Sequence, residues 1–178
     1  MTKAASQPDA QQLLGRETER KALLDVLERV SKDRAAGTVS IVGASGQGKT
    51  ALLAQFIADA VARRWTVFNV VAHESQSNVP LAAVRRLLYG IVDQLGVDIA
   101  RRYVSGLEHD LFARDPVLAK RFGVEKLAGD EDIYRFQRSF VALLEGMLLD
   151  LPIVLAVDDV QWIDGESLRT LKLAIADL

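Results

Sequence analysis

The most constraining feature of this sequence is the segment 43–50, which fits G-x-x-x-x-G-K-[ST] at every specified position. Glycines allow such a loop to curl so that successive N–H groups point inward, and no Cβ blocks a phosphate oxygen. Lys49 would bring positive charge to the terminal phosphates, and Thr50 a hydroxyl ligand to Mg²⁺. A β-branched run at 38–42 precedes the loop, and an amphipathic helix pattern follows it. The residues predicted to bind a nucleotide here are Gly43, Ala44, Ser45, Gly46, Gln47, Gly48, Lys49 and Thr50.

The same glycines allow a second interpretation. Gly46-x-Gly48-x-x-Ala51 also satisfies the G-x-G-x-x-[GA] pattern of dinucleotide-binding sites. That pattern is short, and it leaves Lys49 and the hydroxyl residue after it unexplained. The acidic residue expected about 20 positions further on has no clean candidate, Glu74 being the nearest. A dinucleotide-binding domain is therefore the weaker prediction.

A second chemical feature is an apolar run at 153–157 that ends in two adjacent carboxylates, Asp158 and Asp159. In parallel sheets, ligands bind beyond the carboxyl ends of the strands, so Asp158 would face the same crevice as Lys49 and Thr50. A carboxylate there can hold Mg²⁺ and offset phosphate charge. Asp159 could orient or deprotonate an attacking water. The sequence thus predicts a metal ligand at 158 and a hydrolytic residue at 159.

Helical and strand-like patterns alternate along the chain. Residues 1–12 lack apolar periodicity and predict a disordered tail. The predicted helices cover residues 17–31, 51–64, 80–96 and 131–150, short pieces within 98–130, and a last helix with Asp164 as its N-cap. The predicted strands cover residues 38–42, 65–71 and 153–157. This alternation predicts an α/β fold in which helices cover both faces of a parallel sheet.

Composition narrows the functional classes. The 178 residues carry a net charge of −2, so no overall basic field attracts nucleic acid, and we expect no direct nucleic-acid contact from this segment. The chain has no cysteine, which excludes a disulfide framework and a thiolate metal site. No apolar run approaches the ~20 residues of a membrane span, and residues 1–12 do not resemble a signal peptide. A cytoplasmic location without membrane contact is the expectation.

Two of these segments resemble the motifs of a known class. Residues 43–50 and 153–159 resemble the Walker A and Walker B motifs of P-loop NTPases. Residues 13–19 (Leu-Leu-Gly-Arg-Glu-Thr-Glu) and 158–164 (Asp-Asp-Val-Gln-Trp-Ile-Asp) narrow the likeness to the nucleotide-binding domain of AAA-type STAND signalling ATPases. Such domains are similar to those of large LuxR-type bacterial transcriptional regulators.

The resemblance implies a three-layer α/β/α P-loop NTPase fold that binds ATP and Mg²⁺ and hydrolyses ATP slowly, as a regulatory switch. It implies that Gly15 and Arg16 lie near the adenine, that Lys49 and Asp159 are catalytic, and that Thr50 and Asp158 hold the metal. Self-association of the full-length protein is a further implication. A module that holds ATP or ADP and hydrolyses little or none remains an open alternative.

The sequence departs from the family pattern in its number of strands. The sheets of the family have further strands, one of which lies between the first and the third strand. The family domains also have a polar sensor residue, an arginine finger and a helical lid. We therefore expect residues 13–178 to be the N-terminal part of such a domain, truncated after the Walker B strand and its following helix, and poorly stable alone. The alternative is a rearranged sheet in which the first and third predicted strands pair directly.

Overall fold

A computed structural model describes residues 15–126, 129 and 132–178. The predicted tail at 1–12 lies outside these residues. Within the described ranges the strands are β1 (Thr66–Val71) and β2 (Ile153–Asp158), and two 3₁₀ turns span Glu74–Gln76 and Val160–Trp162. The helices are α1 (Glu17–Asp33), α2 (Lys49–Ala62), α3 (Ala82–Leu95), α4 (Val97–Val104), α5 (Glu108–Phe112), α6 (Pro116–Phe122), α7 (Ile133–Leu148) and α8 (Gly165–Asp177).

The two strands pair directly and in parallel. The register runs from Thr66 opposite Ile153 to Val71 opposite Asp158. The N–H of Ala72 donates to the carbonyl of Asp158 at 3.0 Å and continues the ladder past the last register pair. The predicted parallel sheet is confirmed for these two strands, with helices α3 to α7 forming the crossover between them.

Helices cover both faces of this small sheet, as predicted for a three-layer α/β/α fold. Side chains alternate between the faces of a strand, so Phe68 and Val70 join the larger apolar cluster formed with α3, α7 and their neighbours. Val67 points to the other face, where it packs with Leu27 of α1 and Ala60 of α2. The sheet is therefore the middle layer between two sets of helices.

The prediction of a first strand at 38–42 is wrong for the described residues. In the part of the chain that the structure describes, this segment has no strand assignment, and the sheet consists of β1 and β2. Val39 is 46% exposed and Val42 89%. β-branched residues favour a strand only where a partner strand and a buried face exist, and this segment has neither among the described residues. Direct pairing of the first and third predicted strands is likewise wrong, because 38–42 is not a strand of this sheet, in which the third predicted strand pairs with the second.

The structure contains the other predicted helices and strands, but their first and last residues differ from the predicted ones. The segment at 98–130 contains the short helices α4, α5 and α6, as predicted. Helix α3 begins at Ala82 instead of Pro80, because Leu81 takes a left-handed conformation (φ 62°) and serves as its N-cap. Asp164 caps α8 as predicted, its side chain accepting from the N–H of Ser167. Among the described residues, every helix is too short or too polar to cross a membrane.

Candidate functional site

The beginning of helix α2 differs from the beginnings of α6, α7 and α8. Those three helices are capped by the carboxylates of Asp115, Asp132 and Asp164. The N-cap of α2 is Gly48, and within the described residues no side chain caps this helix. The first backbone N–H groups of an α-helix have no partner inside the helix, and they carry the positive end of its dipole. Helices α1, α4 and α5 also begin without a side-chain cap, so it is the glycine loop in front of α2 that distinguishes its free N–H groups as a binding site for an anion.

The backbone conformation and the packing of the preceding loop explain why it contains glycines. Gly46 (φ 79°) and Gly48 (φ 73°) lie in the left-handed region, which L-residues with a Cβ adopt with strain. A Cβ on Gly43 would lie 2.5 Å from the side-chain oxygen of Gln47, so a larger residue there would displace that side chain. The glycine spacing found in the sequence thus corresponds to a curled loop in front of α2.

Hydrogen bonds inside the loop hold this curl together. The N–H of Ala44 donates to Gln47 Oε1 at 2.9 Å, which closes the loop across its mouth. Lys49 Nζ donates to the carbonyl of Ala44 at 2.9 Å, so its ammonium group folds over the loop. Thr50, at the first turn of α2, is exposed, as is Ser45. The loop therefore brings a cation, a hydroxyl and unpaired helix N–H groups together.

Arg16 links the start of α1 to this loop. Its Nη2 donates to the carbonyl of Gln47 at 2.6 Å, and its Nη1 donates to Glu19 Oε1 at 2.8 Å. Gly15, directly before it, is exposed and has φ 85°. The segment carrying Gly15 and Arg16 thus lies beside the loop in space, although the whole of α1 lies between the two in the sequence.

A second arginine of α1 fixes this helix on α2. Arg20 donates to both carboxylate oxygens of Asp59, with Nε to Oδ2 and Nη2 to Oδ1 each at 2.6 Å. Asp59 is buried, and the hydrogen bonds from Arg20 lower its pKa more than burial raises it, with Gln55 and Arg63 adding smaller contributions. Sequence reasoning missed this pair. The available signal was an acidic residue between the apolar residues of α2.

Replacing Asp59 by asparagine is expected to lower the melting temperature at neutral pH by a few degrees. The folded protein holds the pKa of Asp59 below the ordinary value of 3.8. The ionised pair therefore contributes stability above that value and loses it as the pH falls through the folded pKa. Thermal melts of both proteins across an acid pH series measure the difference.

The matched control for that series is Asp93→Asn. Asp93 pairs with Arg121 at 2.6 Å, but its side chain is 63% exposed, and exposed ion pairs contribute little. Asp93→Asn should therefore change the melting temperature less than Asp59→Asn. If the Asp59→Asn difference did not shrink as the pH falls below 3.8 and through the folded pKa of Asp59, the carboxylate of Asp59 would not be the source of the stability.

Asp158 is the last residue of β2, and Asp159 begins the loop after it. Asp158 is half-buried, and its Oδ1 accepts the N–H of Asp159 at 2.9 Å. Asp159 is exposed, has φ 53°, and accepts the side-chain amide of Gln161 at 3.1 Å. The N–H of Asp159 shares a peptide plane with the carbonyl of Asp158, which accepts the N–H of Ala72 in the sheet, so this N–H keeps the Asp158 carboxylate in one orientation.

The topology brings Asp158 and the start of α2 to the same edge of the sheet. Helix α2 packs against both strands, and a tight turn at Arg63 and Arg64 connects its end to the start of β1. The 14 residues of α2 span about 21 Å, and the 6 residues of β1 span about 20 Å. The start of α2 therefore returns to the end of β1, which lies beside Asp158 in the parallel register.

The parallel sheet, the curled glycine loop at an uncapped helix and the acidic strand end together define a P-loop nucleotide-binding domain. The AAA ATPase domain family model matches residues 12–178, and the chain belongs to that family. Membership indicates nucleotide binding and favours the P-loop over the dinucleotide interpretation. Comparison with curated proteins found no match, and comparison with solved structures found none.

Proposed function

We propose that this chain is an ATP-binding domain that works as a nucleotide-dependent regulatory switch. The observation that carries the proposal is the uncapped start of α2, with Lys49 folded over the curled loop before it. Family membership supports nucleotide as the anion. The remaining residue roles follow from the chemistry of the groups around that helix end.

In this proposal the loop at 43–50 surrounds the phosphates with backbone N–H groups, and Lys49 neutralises the terminal phosphates. The hydroxyl of Thr50 and the carboxylate of Asp158 are oxygen ligands of the type that Mg²⁺ prefers. Bound Mg²⁺ would offset phosphate charge and bridge the terminal phosphates. Gly15 and Arg16, which lie beside the loop through the Arg16–Gln47 contact, would border the adenine.

Hydrolysis depends on Asp159 in this proposal. Its carboxylate is exposed at the end of β2 and accepts the Gln161 amide at 3.1 Å, with no other partner in the part of the chain that the structure describes. A carboxylate in that place can accept a proton from an attacking water or hold the water in line. Slow hydrolysis would then reset the switch from its ATP-bound to its ADP-bound form.

A second candidate is a module that binds ATP or ADP without hydrolysing it. The segment 38–42, which has no strand partner among the described residues, favours this candidate. It leads directly into the loop, so no sheet supports the residues at which the loop begins. A loop that is held only at α2 can still bind phosphate. It would hold the terminal phosphate less firmly for in-line attack.

The same unpaired segment supports a proposal about the wider protein. Backbone N–H and C=O groups of a β-branched run normally pair in a sheet. We propose that a further strand pairs with residues 38–42, which makes 13–178 the N-terminal part of a larger ATPase domain. The residues at 13–19 and 158–164 favour a particular context for this domain. The whole protein would be a cytoplasmic bacterial transcriptional regulator or signalling ATPase of the STAND type, and it would self-associate through its other parts.

Phosphate release and nucleotide affinity, measured on wild type and Asp159→Asn, test the proposal. The variant is expected to bind ATP within about twofold of wild type, because it keeps the shape and the backbone of the loop. Its phosphate release should fall about a hundredfold, the usual contribution of a general base. Asp177→Asn, which changes an acid at the far end of α8, should alter neither quantity.

The outcomes separate the two candidates. Tight ATP binding by wild type without phosphate release would favour the non-hydrolysing module. Phosphate release that continues unchanged in Asp159→Asn would contradict the role assigned to that carboxylate. A failure of wild type to bind ATP or ADP would overturn both candidates.

A further inference from the structure

Arg16 makes a contact with the loop at 43–50 that a nearby adenine does not require. Its Nη2 donates to the carbonyl of Gln47 at 2.6 Å, across 31 positions of sequence. Its Nη1 donates to Glu19 Oε1 at 2.8 Å, so both branches of the guanidinium group are held. Short hydrogen bonds from a charged donor are among the stronger ones in proteins. Arg16 therefore fixes one carbonyl group of the loop.

This carbonyl belongs to the peptide that joins Gln47 to Gly48. A trans peptide is planar, and its C=O and N–H groups point in opposite directions. Because Arg16 holds the carbonyl on one side of the loop, the N–H of Gly48 is directed to the other side. Among the described residues this N–H has no hydrogen-bond partner, and it directly precedes the free N–H groups at the start of α2. It is therefore available to a phosphate oxygen.

The other contacts of the loop do not fix this peptide. A peptide plane turns through opposite changes in ψ of the residue before it and φ of the residue after it, and glycine accepts both signs of φ. The residue after it is Gly48, with φ 73°. The N–H of Ala44 binds the side chain of Gln47, and the N–H of Gln47, which lies in the preceding peptide, reaches the carbonyl of Ala44 at 3.4 Å. Within the described ranges, Arg16 is the group that bonds to the Gln47–Gly48 peptide.

Helix α1 brings Arg16 to this place. Arg16 is the N-cap residue of α1, and Arg20 lies one turn later on the same side of the helix. Arg20 donates two hydrogen bonds of 2.6 Å to Asp59 of α2. The guanidinium group of Arg16 thus reaches the loop from a helix that is itself anchored on the helix following the loop.

We propose that Arg16 is a positioning residue for phosphate binding, whose hydrogen bond to the Gln47 carbonyl holds the Gly48 N–H toward the phosphates. The inference rests on the proposed nucleotide function and adds to it a role for the guanidinium group that does not depend on the base. Without this bond the peptide turns between orientations, and a fraction of the molecules presents the N–H. The apparent affinity for phosphate falls by that fraction.

The test compares a ligand that has a base with one that has none. ATP and inorganic tripolyphosphate are titrated in EDTA into wild type and Arg16→Ala. The variant should bind both ligands about tenfold more weakly, the effect expected from losing one hydrogen bond with a charged partner. Its melting temperature should stay nearly unchanged, because the side chain of Arg16 is 35% exposed at the start of α1.

Two controls separate orientation of the peptide from simple charge. Arg16→Ala also removes a positive charge, so each titration is repeated at about 1 M salt, where the screening length is about 3 Å. Attraction by an exposed charge is screened under these conditions, whereas the tenfold difference should persist if the hydrogen bond orients the peptide. Arg29→Ala removes an exposed arginine from the same helix and should bind both ligands as wild type does.

A loss of ATP affinity with unchanged tripolyphosphate affinity would show that Arg16 acts on the base and would overturn the inference. A difference that disappears at high salt, unchanged affinities in Arg16→Ala, or a wild type that binds ATP but not tripolyphosphate would overturn it as well. Each of these outcomes leaves nucleotide binding standing. Failure of wild type to bind ATP would overturn the proposed function and this inference together.

Discussion

Replacing Lys49 by alanine is expected to weaken ATP binding about a hundredfold or more, the size of effect that follows the loss of a charged partner from a phosphate. In the free protein, Lys49 Nζ donates to the carbonyl of Ala44, and among the described residues it has no further hydrogen-bond partner. Its removal should therefore leave the melting temperature nearly unchanged. Isothermal titration of ATP and a thermal melt of the same samples measure the two quantities.

Lys172→Ala is the control for this experiment, because it removes an exposed lysine of α8 and the same amount of charge. Its ATP affinity should equal that of wild type. Undiminished ATP affinity in Lys49→Ala would contradict the assignment of the loop at 43–50 as the phosphate site. A large fall in its melting temperature would show instead that the lysine acts through the fold.

The largest loss of stability is expected from Phe140→Ala. Phe140 has no exposed surface and stacks with Phe136 one turn earlier on α7, with ring centroids 6.5 Å apart. Both belong to the cluster that covers one face of the sheet. Truncating a fully buried phenylalanine leaves a cavity and costs about 4 kcal/mol. For a chain of this size the melting temperature should fall by roughly 10 °C.

Tyr134→Ala on the same helix is the matched control. Tyr134 is 68% exposed, so its truncation should change the free energy of unfolding by less than about 0.5 kcal/mol. Urea or thermal unfolding of both variants measures the difference. A comparable loss in the two variants would mean that α7 does not pack through the face that carries Phe136 and Phe140.

Local sequence patterns predicted two kinds of element. These are elements whose contacts lie close by in the sequence and elements whose apolar residues follow a strong pattern. The run at 153–157 is apolar throughout, as expected for a strand covered on both faces, and it became β2. The stripe containing Phe136 and Phe140 became the buried face of α7. The loop at 43–50 follows from its glycines, two of which need positive φ. In these places a short stretch of sequence contains most of the physical information.

The remaining features depend on residues that are far apart in sequence. The segment 38–42 has strand propensity, yet a strand also needs a partner, and propensity does not specify one. Arg20 meets Asp59 across 39 positions, and Asp164 meets Leu81 across 83. Neither contact follows a local spacing rule. For Asp59, the available signal was an acidic residue within an apolar stretch. For Asp164, the capping pattern predicted the start of α8 but gave no indication of the contact with the start of α3.

The parallel register of β1 and β2 has a consequence for biosynthesis. Thr66 pairs with Ile153, and helices α3 to α7 lie between these strands in the chain. During translation the first strand leaves the ribosome long before its partner, so its hydrogen-bonding edge stays bare until the helices between them have been made. Contacts between residues so distant in sequence slow folding, because the intervening chain must close before they are gained. We therefore expect nascent chains of this protein to expose the edge of β1 until β2 has been made, and an uncovered strand edge favours aggregation.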